Sequence, residues 1–352
     1  MFYKALGLMS GTSLDGLDMA YCEFEEQNGR WGYKILQAET ITYNEEFRNK
    51  IISMENASAT ELACFDAELG HYFGRLAKEF INTNSLTPDF VASHGQTIFH
   101  QPSQGYTTQI GNPAAICSEV KTTTIGDFRT LDVMLGGQGA PLVPIGDLHL
   151  FSDYHSCLNI GGFSNISHKD NNEIKAYDIC PVNIVLNHLC KQIGLEFDNN
   201  GTIAANNKTD KKLLKKLNSL PYYQDKTTAK SLGKEWVVEN IFPILQFSNL
   251  TIEEKIATYT THAAEQIAAN LKGNTLITGG GAYNNQLIKL IQQNTKHTIT
   301  IADKTTIDYK EAMIFAFLGV LRMRDEINCL SSVTGASQSS CGGTIVQWID
   351  TK

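Results

Sequence analysis

Apolar residues recur along this chain with two alternating periods, and the alternation sets the fold class. Leu62, Phe65, Leu69, Phe73, Leu76 and Phe80 follow one another at steps of three and four, which gathers them on one face and predicts a long amphipathic helix. A second helix is predicted from about Glu253 to Leu271, stopped near Gly273, and a third from Glu311 to about Met323. The run EAMIFAFLGVLRM in the third is apolar nearly all round, as a buried helix would be. Short β-rich runs fill the intervals: KALGLM, DMAYCEF, DFVASHG, HSCLNIGG, NTLITGGG and HTITIAD. Strand-like and helix-like segments taking turns is the pattern of an α/β protein.

Length sharpens this picture. At 352 residues and 42% hydrophobic content, the chain exceeds what one compact core comfortably holds, so two lobes are expected. No apolar run reaches the length of a membrane-spanning helix, and MFYKALGLMSGTS has neither the basic start nor the long apolar stretch of a leader, so a cytoplasmic protein is expected. A formal charge of −8 argues against nucleic acid as a partner, because phosphate neutralisation needs a basic face. The one basic cluster, Lys208 to Leu217, spaces lysines around leucines as a short solvated helix does. The 8 cysteines form no CxxC pair and read as reduced, mostly buried thiols. The 9 histidines show no HExxH or Cys/His cluster, so no transition-metal site is expected.

Candidate chemistry lies in three glycine-rich turns. GLMSGTSLDGLDMAYCEF (Gly7 to Phe24) and CLNIGGFSNISH (Cys157 to His168) each run from an apolar strand through a Gly/Ser/Thr/Asn turn into another strand-like segment. Neither has the lysine of a P-loop, and neither opens a helix as a dinucleotide fingerprint does. A glycine hairpin remains, whose backbone N–H groups and hydroxyls can cradle an anion. The third turn, GGG at Gly279 to Gly281, precedes the helix-like NNQLIKLIQQ and suits a nucleotide approaching a helix N-terminus.

Two phosphate hairpins, one per half, with a late glycine turn resemble the sugar kinase, Hsp70 and actin superfamily. The blocks GTSLDG, SHGQT, GDFRT, GGQGAPLVP, LNIGGFSNIS, ITGGGAYNNQLI and KEAM, in this order, are similar to those of the bacterial anhydro-N-acetylmuramic acid kinase family. The resemblance implies an α/β, two-lobed actin-like ATPase (ribonuclease H-like) fold with a central ATP cleft. The first lobe would comprise residues 1–130 completed by about 331–352, and the second residues 131–330. It also implies ATP and Mg²⁺ as cofactors, a small-molecule sugar as substrate and a homodimer. The implied reaction is phosphorylation of O6 of 1,6-anhydro-N-acetylmuramic acid while water opens the anhydro bridge, giving N-acetylmuramic acid 6-phosphate.

Carried over residue by residue, the resemblance makes Asp178 the general base; by pattern alone, Asp178 could equally cap the following helix. The stretch DICPVN departs from the family's DTGPGN, with Ile179, Cys180 and Val182 replacing Thr and both glycines while Asp178, Pro181 and Asn183 remain. Gly11, Thr12, Ser13, Leu14, Asp15, Gly16, Leu17 and Asp18 match the first phosphate hairpin, with Asp15 or Asp18 facing Mg²⁺ or its waters. Gly161, Gly162 and Asn165 match the second hairpin. Gly280, Gly281 and Asn284 match the nucleotide turn, although a simple helix cap explains Asn284 equally well. His94, Gln96, Arg129, Asn183 and Glu311 match substrate positions. The Arg129 fork suits the lactyl carboxylate of a muramic acid, against the alternative of a salt bridge to Asp127 or Asp132. A kinase of another 1,6-anhydro sugar, such as levoglucosan, and a binding protein that has lost turnover remain as alternatives.

Overall fold

The computed structural model describes residues 1–170, 173–224 and 231–350 and divides into two compact units, Met1–Leu150 with Tyr309–Lys352, and Phe151–Asp308. In the first unit, β1 (Phe2–Ser10), β2 (Gly16–Gln27) and β3 (Arg30–Thr42) form an antiparallel meander. Strand β4 (Phe90–Ser93) continues the sheet parallel to β1. A separate hairpin of β5 (Gln96–Gln101) and β6 (Tyr106–Ile110) follows, and then β7 (Thr124–Gly126) adds parallel to β4. A final strand, Thr344–Val346, pairs antiparallel with β7.

Strand β1 is buried on both faces from Ala5 to Ser10, in keeping with its nearly unbroken apolar run. Leu6 and Leu8 join a core cluster with Phe65, Leu69, Phe73 and Phe80 of the helix Ala59–Thr83, the amphipathic helix expected from the pattern. That helix starts on a capping box in which Ser58 and Glu61 satisfy each other's orphan groups. On the other face, Gly7 meets the helix Lys304–Met323 so closely that a Cβ would lie 1.9 Å from the Ala312 carbonyl oxygen.

In the second unit, β8 (Ser156–Ile160), β9 (Phe163–Asp170) and β10 (Glu173–Pro181) form another antiparallel meander. Strand β11 (Thr275–Thr278) runs parallel to β8, and β12 (Ile299–Ile301) parallel to β11. The helix Ile252–Asn270 supplies much of this core through Ile256, Tyr259, Ala263 and Ile267. Both sheets thus share one design, in which strands three, two and one are antiparallel and the fourth and fifth add parallel to the first. Found twice in one α/β chain, this is the ribonuclease H-like strand arrangement expected above.

The unit bounds fall at 150/151 and 308/309, against the 130/131 and about 330/331 that the resemblance implies. Packing accounts for the difference. The helix Val143–Leu150 is joined to the first unit by Gly146 against Ile314 and by a buried ion pair, Asp147 to Lys310, at 2.7 Å. No described helix is long and apolar enough to cross a membrane.

Candidate active site

In the first unit, the turn between β1 and β2 is closed by the Leu14 N–H donating to the Gly11 carbonyl at 3.1 Å, and Leu14 itself takes a left-handed φ of 56° as the chain leaves the turn. Thr12, Ser13 and Asp15 are exposed, and the N–H groups of Thr12 and Ser13 have no acceptor among the described residues. Gly16 is demanded by the fold itself, since a Cβ there would lie 2.4 Å from the Ile41 carbonyl oxygen. Leu17, expected among the nucleotide contacts, has its side chain fully buried in the core, because the alternation that turns Asp18 out turns Leu17 in. Asp18 Oδ1 accepts a 2.6 Å hydrogen bond from the Thr40 hydroxyl on β3.

Behind this turn lies a buried polar chain. Ser10 Oγ donates to Gln96 Oε1 at 2.6 Å and meets the Tyr43 hydroxyl at 2.8 Å, so Gln96, 2% exposed, braces the end of β1. His94 Nδ1 lies 2.9 Å from the Gly95 carbonyl and 3.2 Å from that of Ser10. Its Nε2 accepts from Arg129 Nε at 3.0 Å and Nη2 at 2.9 Å, and Arg129 Nη1 donates to the Gly139 carbonyl at 2.7 Å. Burial, reinforced by the Arg129 charge, pushes the imidazole pKa down to about 3, so the ring is neutral.

Arg129 pairs with neither Asp127 nor Asp132. Asp127 caps Thr130, and the fully buried Asp132 accepts from Thr334 Oγ1 at 2.7 Å, Cys329 Sγ at 3.1 Å and Gly139 N at 2.7 Å. The nearby acid is Glu311. Its carboxyl reaches solvent yet is closely walled by protein; that desolvation raises its pKa, while Arg129 and Lys310 pull it back.

In the second unit, strand register aligns a polar row. Thr278 on β11 stands opposite Asn159 on β8, which stands opposite Asn165 on β9, which stands opposite Asp178 on β10. Residues directly opposite share a face, so these four segments converge beside the glycine turns. Asp178 is half-buried, and its Oδ2 accepts from the Leu232 N–H at 2.8 Å while Oδ1 has no partner among the described residues. Burial raises its pKa, opposed by that one hydrogen bond. It does not cap a helix. The helix Asn183–Lys191 follows Val182 without any side-chain cap.

That helix is capped by the turn. Gly162 O accepts from Val182 N at 2.7 Å and Ile184 N at 3.2 Å, and Gly161 O accepts from Asn183 N at 3.2 Å. The departure from DTGPGN is thereby accommodated: the Val182 and Asn183 amides serve the turn, and Cys180 is fully buried against Ser164, its thiol pKa pushed up to about 12. Asn284 is the N-cap of the helix Asn285–Asn294, accepting from Leu287 N at 2.9 Å.

A fit to a phosphate-bearing ligand can be tested at the glycines. Gly11, Gly161, Gly162 and Gly280 have negative or extended φ, and a Cβ on any of them would meet nothing closer than 3.6 Å. The fold does not require glycine at these four positions, although glycine costs backbone entropy. A ligand passing close to the main chain would, because a Cβ would fill the space it needs. Mg²⁺ fits as well. Among the described residues no group of three or more acidic, His or Cys side chains could hold a metal alone. Isolated carboxylates such as Asp15 and Asp18 suit an ion that takes its other ligands from water and phosphate.

A family model described as anhydro-N-acetylmuramic acid kinase matches residues 3–347. The chain belongs to that family. Curated relatives with the same description include one from Bacillus cereus strain Q1, 31% identical over 96% of this chain and 98% of its own length. Another, from Clostridioides difficile strain 630, is 33% identical over 97% of both. Among solved structures, the activator of the 2-hydroxyisocaproyl-CoA dehydratase from Clostridium difficile with bound ADPNP aligns over 91% of this chain and 97% of its own, at 14% identity and TM-score 0.44. Hexokinase from Schistosoma mansoni complexed with glucose aligns over 90% and 85%, at 10% identity and TM-score 0.34.

The structure adds two residues that the motifs did not single out. Asn159 is one: its Oδ1 would lie 2.5 Å from a Cβ at Gly279, so it buttresses the GGG turn from the neighbouring strand. Lys310 is another, a buried cation beside Glu311. Only the register of β8 against β9 and β11 reveals the first; the adjacency of KE in KEAM is the sequence signal for the second.

Proposed function

We propose that this protein is an ATP-dependent kinase of 1,6-anhydro-N-acetylmuramic acid that phosphorylates O6 while water opens the anhydro bridge, yielding N-acetylmuramic acid 6-phosphate and ADP. The observation that carries the reading is Asp178: a half-buried carboxylate at the end of a polar strand row, one oxygen tethered by Leu232 N–H and the other without a partner among the described residues. Burial raises its basicity, which suits proton abstraction.

Asp178 accepts a proton from the water that bonds to the anomeric carbon, and the bond from that carbon to O6 breaks. O6 bonds to the γ-phosphorus as the bond to the β–γ bridging oxygen breaks, and ADP departs. In the first unit Gly11 with the N–H groups of Thr12 and Ser13, and in the second the open glycines Gly161, Gly162 and Gly280, are each suited to phosphate oxygens. Asp15 and Asp18 are the side chains that would hold Mg²⁺, which when bound neutralises phosphate charge. Arg129 gives its Nε and Nη2 edge to His94 and one Nη1 N–H to Gly139, which leaves one N–H on each of Nη1 and Nη2 for the lactyl carboxylate.

The test is incubation of the purified protein with ATP, Mg²⁺ and the anhydro sugar, with ADP and the 6-phosphate as readouts. Turnover that Asp178→Asn abolishes supports the reading. Absence of product, or turnover of levoglucosan in preference to the acidic sugar, overturns it.

A further inference from the structure

Both ring nitrogens of His94 are committed within the protein, although a substrate position is what the motif implies for it. Nδ1 faces two carbonyl oxygens, those of Gly95 and Ser10, and a carbonyl can only accept, so Nδ1 carries the proton. Nε2 is then a bare acceptor, and it takes the Nε and Nη2 edge of Arg129. Neutrality is enforced by 5% exposure and by the guanidinium itself. The ring is also fixed in the third dimension, with its centroid 4.7 Å from that of Phe315, over whose ring the Arg129 guanidinium carbon lies at 5.9 Å.

We propose that His94 is a positioning residue that acts through Arg129 and never contacts the sugar. A guanidinium has five N–H groups. Nε–H and one Nη2–H go to His94, and one Nη1–H goes to Gly139. One N–H on each of Nη1 and Nη2 remains, and neither has an acceptor among the described residues. Without an acceptor on its inner edge, Arg129 would be free to swing, and a flexible cation would meet a carboxylate with poor geometry. The proposal rests on the reading of Arg129 as the carboxylate clamp and adds what aims it.

The experiment compares His94→Phe, which fills the space without an acceptor, with His94→Gln, whose amide oxygen can replace Nε2. Steady-state kinetics are run with ATP and either 1,6-anhydro-N-acetylmuramic acid or its carboxylate-free counterpart, 1,6-anhydro-N-acetylglucosamine. His94→Phe should raise KM for the acidic sugar about tenfold, as loss of an aligned charge-assisted contact would, with KM for ATP unchanged and the preference over the neutral sugar lost. His94→Gln should recover most of it, and His94→Phe should add nothing in an Arg129→Met background. Equal loss for both sugars, or no rescue by Gln, overturns the proposal.

A second readout stands apart from turnover. The Arg129 Nε–H signal, assigned by its disappearance in Arg129→Lys, should exchange slowly with water in the wild type and in His94→Gln and rapidly in His94→Phe. Slow exchange in His94→Phe sinks the positioning role whether or not the protein turns over sugar. Slow exchange restricted to the acceptor-bearing forms upholds it even if the substrate assignment fails.

Discussion

Asp178 and His94 are both driven from their ordinary titration by burial, and because one is an acid and the other a base the same cause moves them in opposite directions. A general base must be ionised, so the acid limb of kcat/KM should lie above the usual aspartate range of about 4, where an exposed carboxylate would place it. Asp178→Asn should remove that limb and lower kcat by about 10²–10⁴-fold. Glycine supplies a second residue-scale prediction. Gly162→Ala should leave the melting temperature unchanged or slightly raised, since the site accepts a Cβ, while raising KM for ATP about tenfold or more. The glycines of both hairpins were legible in the sequence. His94 was legible as a residue but not as a role, because the partners of its nitrogens lie at positions 10, 95 and 129 and only folding unites them.

At the scale of elements, periodicity found what has two clear faces. The helix observed at Ala59–Thr83 and that at Ile252–Asn270 agree closely with their patterns. The last long helix begins at Lys304, earlier than the expected Glu311, because KTTIDYK is polar and its start is secured by Asp303, which accepts from the Thr306 N–H and hydroxyl. Strand β3 was not legible. Its side chains are mostly exposed or half-buried, so RWGYKILQAETIT lacks the apolar alternation that marked its neighbours. Close contacts between elements give sharp expectations. Gly7→Ala should destabilise the first unit by about 1–3 kcal/mol or more, since the Ala312 carbonyl must move, and urea denaturation against Gly162→Ala measures it. Asp147→Ala leaves the Lys310 ammonium buried and should cost about 3–5 kcal/mol, whereas Asp147→Leu with Lys310→Met should recover most of that loss in the same measurement.

On the scale of the molecule, a neutral histidine is buried in either unit, His94 in the first and His262, fully buried beside Asn218, in the second, both with pKa values pushed down to about 3. In the unfolded chain these rings titrate near 6.5. Their contribution is therefore fully present above that value and is lost as pH falls towards 3. Linkage gives about 3 kcal/mol per histidine between about pH 7 and about pH 4.5. His262→Gln should abolish the second unit's share, seen as a flatter dependence of its denaturation midpoint on pH. The unit bounds themselves escaped the sequence because packing sets them: no shift in composition separates the helix at 143–150 from the residues after it, and Gly146 and Asp147 join the first unit through residues 314 and 310.

The buried carboxylate of Asp132 gathers a thiol from Cys329 and a hydroxyl from Thr334, and the last strand closes the first sheet at β7. During synthesis on the ribosome those partners emerge only after the whole of 151–308 has been made. The internal unit is contiguous and can fold while its neighbour waits for the tail, so the order of maturation runs from the middle of the chain outward.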